Sequence, residues 1–174
     1  MSKYYLSVDL GLSGAISLMS DSKGLIICEP LPTVSVMVGK KMRNQYDVVA
    51  INEMFRAWVS DYNIVGAIAE NLRAFPGQSS QTGFSLGGSA MLFKVLCTIY
   101  KVPYLTTEPR VWQKEIFGSQ GIQYDGKTTK QASVLAAKQL FPGFDFRRTS
   151  KCKIDSPDMT DSACLAEYLR RVSK

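Results

Sequence analysis

The chain opens on an apolar run, Tyr4-Tyr5-Leu6-Ser7-Val8, that stops at a carboxylate, Asp9. Gly11, Ser13 and Gly14 follow, and a second apolar run, Ala15 to Met19, heads back. Two such runs joined by a glycine-containing turn predict a β-hairpin. Leu25-Ile26-Ile27-Cys28 predicts a third strand, ended by Pro30 and Pro32. Residues 33–46 mix valine, glycine and the cations Lys40, Lys41 and Arg43, a pattern that fits an irregular excursion or an extra hairpin.

The period then changes. Asp47 is a predicted N-cap, and Ala50, Ile51, Met54, Phe55, Trp58 and Val59 make the apolar stripe of a helix closed near Asn63. Ile64 to Ala69 is continuously apolar, as expected of a central strand covered on both faces, and it ends on Glu70. A polar, glycine-rich loop follows, with Arg73, Phe75, Pro76 and Gln78. From Phe84 to Tyr100 the spacing is helical again, through Leu86, Ala90, Phe93, Leu96 and Cys97. Gly87, Gly88 and Ser89 predict close approach to other backbone near its start. Pro103 to Thr106 predicts a strand, Val111 to Phe117 a short helix, and Lys130 to Phe141 a helix stopped by Pro142-Gly143. After a basic loop, Phe144 to Pro157, a last helix runs from near Asp158 to near Arg171. The order predicts an α/β fold: one mixed, five-stranded sheet with helices on its faces, in a single domain over residues 1–174.

The length suits one domain with a sizeable core. No uninterrupted apolar run approaches the ~20 residues that cross a bilayer, so no membrane partner is expected. The N-terminus lacks a signal-peptide pattern, which predicts an intracellular, cytoplasmic protein. Cys28, Cys97, Cys152 and Cys164 form no C-x-x-C pair, and the chain has no histidine. Reduced thiols are therefore expected, a structural zinc site is not, and Ser-His-Asp, Cys-His and zinc-histidine catalysis are excluded. Metal chemistry would rest on carboxylates, which favour Mg²⁺ or Mn²⁺.

The net charge of +6 is uneven: residues 1–100 carry a net +1 and residues 101–174 a net +5. Between 127 and 153, Lys127, Lys130, Lys138, Arg147, Arg148, Lys151 and Lys153 face only one acidic residue, Asp145. Such a segment suits a polyanionic partner; read alone, it fits a solvated basic face as well.

Four carboxylates sit where a structured element meets a loop. Asp9 and Glu70 end strands, and Asp158 and Asp161, three apart, open the last helix on nearly one face. Ligands of open α/β sheets bind at the carboxyl ends of strands. Taken singly, Asp158 fits a helix cap, Asp161 a complement to the helix dipole and Glu70 a solvent-facing strand end. Taken together, the four suit a cage for one or two Mg²⁺ ions, which can activate water and stabilise a leaving oxygen in phosphodiester hydrolysis.

With these motifs in order, Asp9-Leu10-Gly11 in a strand-turn-strand, Ala69-Glu70 after an apolar strand, and Asp158-Met159-Thr160-Asp161-Ser162-Ala163 opening a helix, the chain resembles the RuvC-type Holliday-junction resolvases of the RNase H-like superfamily. The resemblance covers nearly the whole chain. It implies an RNase H-like fold, a homodimer, and Mg²⁺-dependent paired nicking of four-way DNA junctions. It maps the metal-binding and catalytic carboxylates onto Asp9, Glu70, Asp158 and Asp161. It makes Lys127 a catalytic candidate and Lys130 its companion at the phosphate, and it offers Phe75 as an aromatic wedge beside Arg73. Arg147, Arg148, Lys151 and Lys153 complete the expected DNA-binding set. Residues 33–46 and 143–157 are longer than a minimal member needs, which suggests a divergent, bacteriophage-like branch acting on branched DNA more broadly. A nuclease of the same fold acting on RNA–DNA hybrids or single-stranded ends, and a non-cleaving branched-DNA-binding module, are the alternatives.

Overall fold

In the computed structural model, which describes residues 2–71, 77, 79–123 and 128–173, five strands form one sheet in the order β3-β2-β1-β6-β7. These are β1 (Tyr4–Asp9), β2 (Ala15–Ser20), β3 (Gly24–Pro30), β6 (Ile64–Glu70) and β7 (Tyr104–Thr107). β1 pairs antiparallel with β2 and parallel with β6, and β6 pairs parallel with β7, so the sheet is mixed as expected. The open choice at residues 33–46 resolves to a hairpin. β4 (Thr33–Val38) and β5 (Lys41–Tyr46) pair only with each other, and most of their side chains are exposed.

Five helices cover the sheet: α1 (Val48–Asp61), α2 (Ser80–Ile99), α3 (Pro109–Ser119), α4 (Thr129–Leu140) and α5 (Pro157–Val172). Local chemistry explains their starts. The Asp47 carboxylate accepts the Ala50 N–H, and Thr128 and Gln131 form a reciprocal capping box ahead of α4. Strand alternation divides the core in two. Leu6, Val8, Ala67 and Ala69 face α1 and α2, packing with Ile51, Phe55, Phe93 and Leu96. Tyr5 and Ile68 face the other side, with Trp112 of α3, Ala136 of α4 and Ala163 of α5.

The last helix lies across this second face with small residues against the sheet. Three buried serines fix its position. Ser7 Oγ donates to the Ser162 carbonyl at 2.6 Å, and Ser17 Oγ donates to Ser162 Oγ at 2.9 Å. Cys28 Sγ reaches the Met159 carbonyl at 3.3 Å. All four cysteines are free thiols.

Two expectations need correction. Gly87 and Gly88 do not mark close approach, because a Cβ on either would meet open space. And α2, judged by the composition of Thr82–Ile99 and not by unbroken apolar runs, is long and apolar enough to cross a membrane, with mean hydropathy 1.3. Phe93, Leu96 and Cys97 on one side of it are core residues, while Phe84, Met91, Val95 and Ile99 are exposed.

Candidate active site: a carboxylate cleft

The side-chain period of two puts Asp9 on the same face of β1 as Tyr5 and Ser7, and Glu70 on the same face of β6 as Ile68. That is the α5 face. The parallel register pairs Val8 with Ala69, so Asp9 and Glu70 leave the sheet side by side. The turn after Asp9 is tight, and Gly14 makes it possible: a Cβ there would lie 2.0 Å from the Asp9 carbonyl oxygen. The Gly11 N–H donates to the Tyr46 hydroxyl at 2.9 Å, tying this turn to the end of β5.

The start of α5 supplies the other two carboxylates. Its N-cap is Ser156 and Pro157 occupies the first turn, so Asp158 is not the cap; it stands within the first turn, where a negative charge complements the helix dipole. Asp161 follows one turn on. The four groups share one electrostatic environment. Burial, then the charges of Asp161, Glu70 and Asp158, hold the Asp9 carboxyl well above its ordinary pKa, and Lys130 only partly offsets them. Burial likewise pushes Asp161 up to about 7, with Glu70 and Asp158 adding to the effect. Glu70 is raised by burial and restrained by Trp112, whose Nε1–H donates to Glu70 Oε1 at 2.8 Å.

Two cations stand at the rim. Lys130 Nζ lies 3.4 Å from Asp158 Oδ1. Arg148 Nη1 lies 3.9 Å from Asp158 Oδ2 and also donates to the Ser13 carbonyl of the β1–β2 turn. The neighbouring Arg147 takes no part, because Asp145 grips its guanidinium through both oxygens, at 2.9 and 2.7 Å. Lys151 and Lys153 are exposed. Lys153 lines a groove of about 580 Å³ with Lys130 and Lys138, beside α4. Arg73, Phe75 and Lys127 lie outside the described residues.

Three positions here carried no motif. Trp112 orients Glu70 across 42 residues of sequence. Tyr46 supports the Asp9 turn. The Ser133 hydroxyl of α4 donates to Thr160 Oγ1 at 3.1 Å and, beside Asp161, restrains the rise of its pKa. The isolated tryptophan in a short amphipathic helix was the one available signal, and it pointed to the core as readily as to the site.

The donor set is all oxygen; burial raises three of the carboxyl groups, and neighbouring carboxylates add to the rise at Asp9 and Asp161, which is the demand a hard divalent cation answers. Among the described residues, no three Asp, Glu or Cys side chains stand close enough together to clasp one ion. The carboxylates therefore form an open, electrostatically coupled cluster, and closing them on a metal requires side-chain movement, above all of Asp158, whose two oxygens face Lys130 and Arg148.

Fold and cleft together define an RNase H-like α/β protein with four carboxylates at the strand ends and the last helix. No protein-family model and no curated relative matches the sequence. Solved structures do. Thermus thermophilus RuvC in complex with a Holliday junction substrate is similar over 98% of this chain and 96% of its own, at 11% identity and a TM-score of 0.55. The yeast mitochondrial Holliday junction resolvase Ydc2 is similar over 96% of this chain and 77% of its own, at 15% identity and a TM-score of 0.57. The chain has the RNase H-like fold of the RuvC-type resolvases, the group its motifs resemble.

Proposed function

We propose that this chain is a structure-selective endonuclease that resolves four-way DNA junctions, and other branched DNA, by paired nicks. The observation that carries the reading is the convergence of Asp9, Glu70, Asp158 and Asp161 on one cleft, in a fold shared with two Holliday-junction resolvases. Mg²⁺, with Mn²⁺ as a substitute, is the cofactor this donor set suits. Held by these four residues, it would supply an activated water and stabilise the leaving oxygen.

The rest of the chemistry falls to the chain's own groups. Trp112 fixes one Glu70 oxygen by donating to it. Asp161, raised to about 7 chiefly by burial, holds a proton near neutral pH in the metal-free protein and would release it on taking the ion. Lys130 and Lys153, on the groove beside α4, offer a track for the phosphate backbone leading to Asp158. Such contacts dominate affinity, and branch shape, more than base edges, then selects the substrate.

Paired nicks need two sites, and α2 supports a homodimer. Phe84, Met91, Val95 and Ile99 follow one another at spacings of seven, four and four along one side of the helix, and are 85%, 58%, 44% and 61% exposed. A contiguous apolar stripe of this kind suits burial against a second copy.

The test is a denaturing gel of three labelled substrates, a fixed four-way junction, a linear duplex and an RNA–DNA hybrid, each with Mg²⁺ or EDTA. Symmetric junction nicks lost with EDTA and with Asp9→Asn, while the variant still shifts the junction on a native gel, are expected. Cutting of the hybrid alone would replace the substrate. Junction binding without any cutting would leave a branched-DNA-binding module.

A further inference from the structure

Within the basic loop Phe144 to Pro157, two adjacent arginines have opposite fates. The loop is anchored: Phe146 is fully buried beside Phe141 and Phe144, and its carbonyl accepts the Ser156 N–H at 2.7 Å. On this anchor Arg147 is held by Asp145, facing solvent. Arg148 instead reaches back to the catalytic turn, donating to the Ser13 carbonyl across 135 residues of sequence, with the same Nη1 near Asp158 Oδ2. Its side chain is one-third exposed, so it sits between the cleft and solvent. A guanidinium in that place has two natural partners, a carboxylate and a phosphate, and geometry suited to either.

We propose that Arg148 is a built-in counter-cation of the carboxylate cleft, which competes with the divalent ion for Asp158 and transfers to a backbone phosphate of the DNA when the ion takes that carboxylate. This deepens the nuclease reading and rests on it. Lys130 flanks the other Asp158 oxygen, is 64% exposed and also offsets the charge of Asp9 and Asp161, so it screens the cluster as a whole. Arg148 instead bridges Asp158 and the Ser13 turn. Its departure would free Asp158 to move toward Asp9 and Asp161 and would loosen the Ser13 turn at the same time.

A merely structural arginine and an exchanging one predict opposite results for metal affinity. Full-length protein freed of metal with EDTA, wild type, Arg148→Ala and Arg148→Lys, would be titrated with Mn²⁺ by calorimetry without DNA. Junction affinity would then be measured in Ca²⁺, with melting by circular dichroism confirming that each variant is folded. The expected result is a split: Arg148→Ala binds Mn²⁺ about threefold more tightly and the junction about threefold more weakly, a size typical of one partly exposed charge pair. Arg148→Lys, which keeps the charge, is expected to lie between wild type and alanine on both scales.

Unchanged or weaker Mn²⁺ binding by folded Arg148→Ala overturns the exchange. If junction cutting by the wild type persists in that case, the nuclease reading survives. Tighter Mn²⁺ binding by the variant, with no cutting of any junction by the wild type, supports the competition at Asp158 and removes the nuclease reading. Absence of Mn²⁺ binding in all three proteins overturns both.

Discussion

Replacing Asp161 by Asn should stabilise the protein, in a manner set by pH. Unfolded, the carboxyl titrates near 3.8; folded, it titrates at about 7 because the cleft is buried and already negative. Below pH 4 both states hold the proton and the site carries no penalty. Between pH 4 and pH 7 the folded chain keeps a proton that the unfolded chain has released, so stability falls as pH rises, and above pH 7 the penalty is complete. The difference corresponds to at most about 4 kcal/mol, and roughly half of that is expected for a group whose titration is shared among neighbours. The amide of Asn removes the charge, keeps the shape and retains an acceptor for the Ser133 hydroxyl. For a chain of this length about 2 kcal/mol raises Tm by about 4–8 °C. The assay is thermal melting in EDTA at pH 3.5 and pH 8. Asp161→Asn should melt well above wild type at pH 8 and close to it at pH 3.5. Adding Mg²⁺ at pH 8 should raise wild type more than the variant, and junction cutting by the variant should be lost. Equal shifts at the two pH values, or a variant less stable than wild type at pH 8, would refute the claim that the buried Asp161 carboxylate destabilises the fold when ionised.

Other perturbations probe the supports of the site. Trp112→Phe keeps an aromatic ring in the core but removes the donor to Glu70; stability should fall by about 2 kcal/mol in urea unfolding, and junction turnover should fall more than junction affinity. Gly14→Ala forces a Cβ into the Asp9 carbonyl and should destabilise by at least about 3 kcal/mol in the same measurement. A Gly14→Ala midpoint close to wild type would mean the turn has another conformation available. Val95→Asp places a charge in the exposed stripe of α2 and should convert a dimer to a monomer in sedimentation, with single nicks replacing paired ones.

Much of the framework was legible because local signals and burial agreed. The runs at 4–9, 15–19 and 64–69 read as strands since each is short, apolar and bounded, and the structure places them at the centre of the sheet. The same rule made Asp9 conspicuous, since a charge directly after a buried strand needs a partner, whereas Glu70 stood out only as one of the four carboxylates. Residues 33–46 were ambiguous for a physical reason. β4 and β5 are exposed on most positions, so no burial imprints an alternating pattern on them. The outward side of α2 was missed because a stripe through Phe93, Leu96 and Cys97 already satisfied the helical period, and Met91, Val95 and Ile99 added no second signal. Trp112 with Glu70, Tyr46 with Gly11, and Arg148 with Ser13 join residues 35 to 135 apart, and such pairings arise only once the sheet is assembled.

The buried contacts of Ser7, Ser17 and Ser162 do more than satisfy polar groups between α5 and the sheet. An interface of alanine and leucine alone would hold the helix nearly as well at several settings. A slide of one turn along its axis would carry Asp158 and Asp161 about 5.4 Å from the strand ends. The hydroxyls accept one setting only, so they act as an alignment key between the two halves of the cleft. Fold maintenance and aim are then separable properties of this chain. Replacing the three serines by small apolar residues should preserve a folded, melting-competent protein while scattering the carboxylates. A search for weak but well-folded variants would do best to begin at this seam, away from the cleft itself.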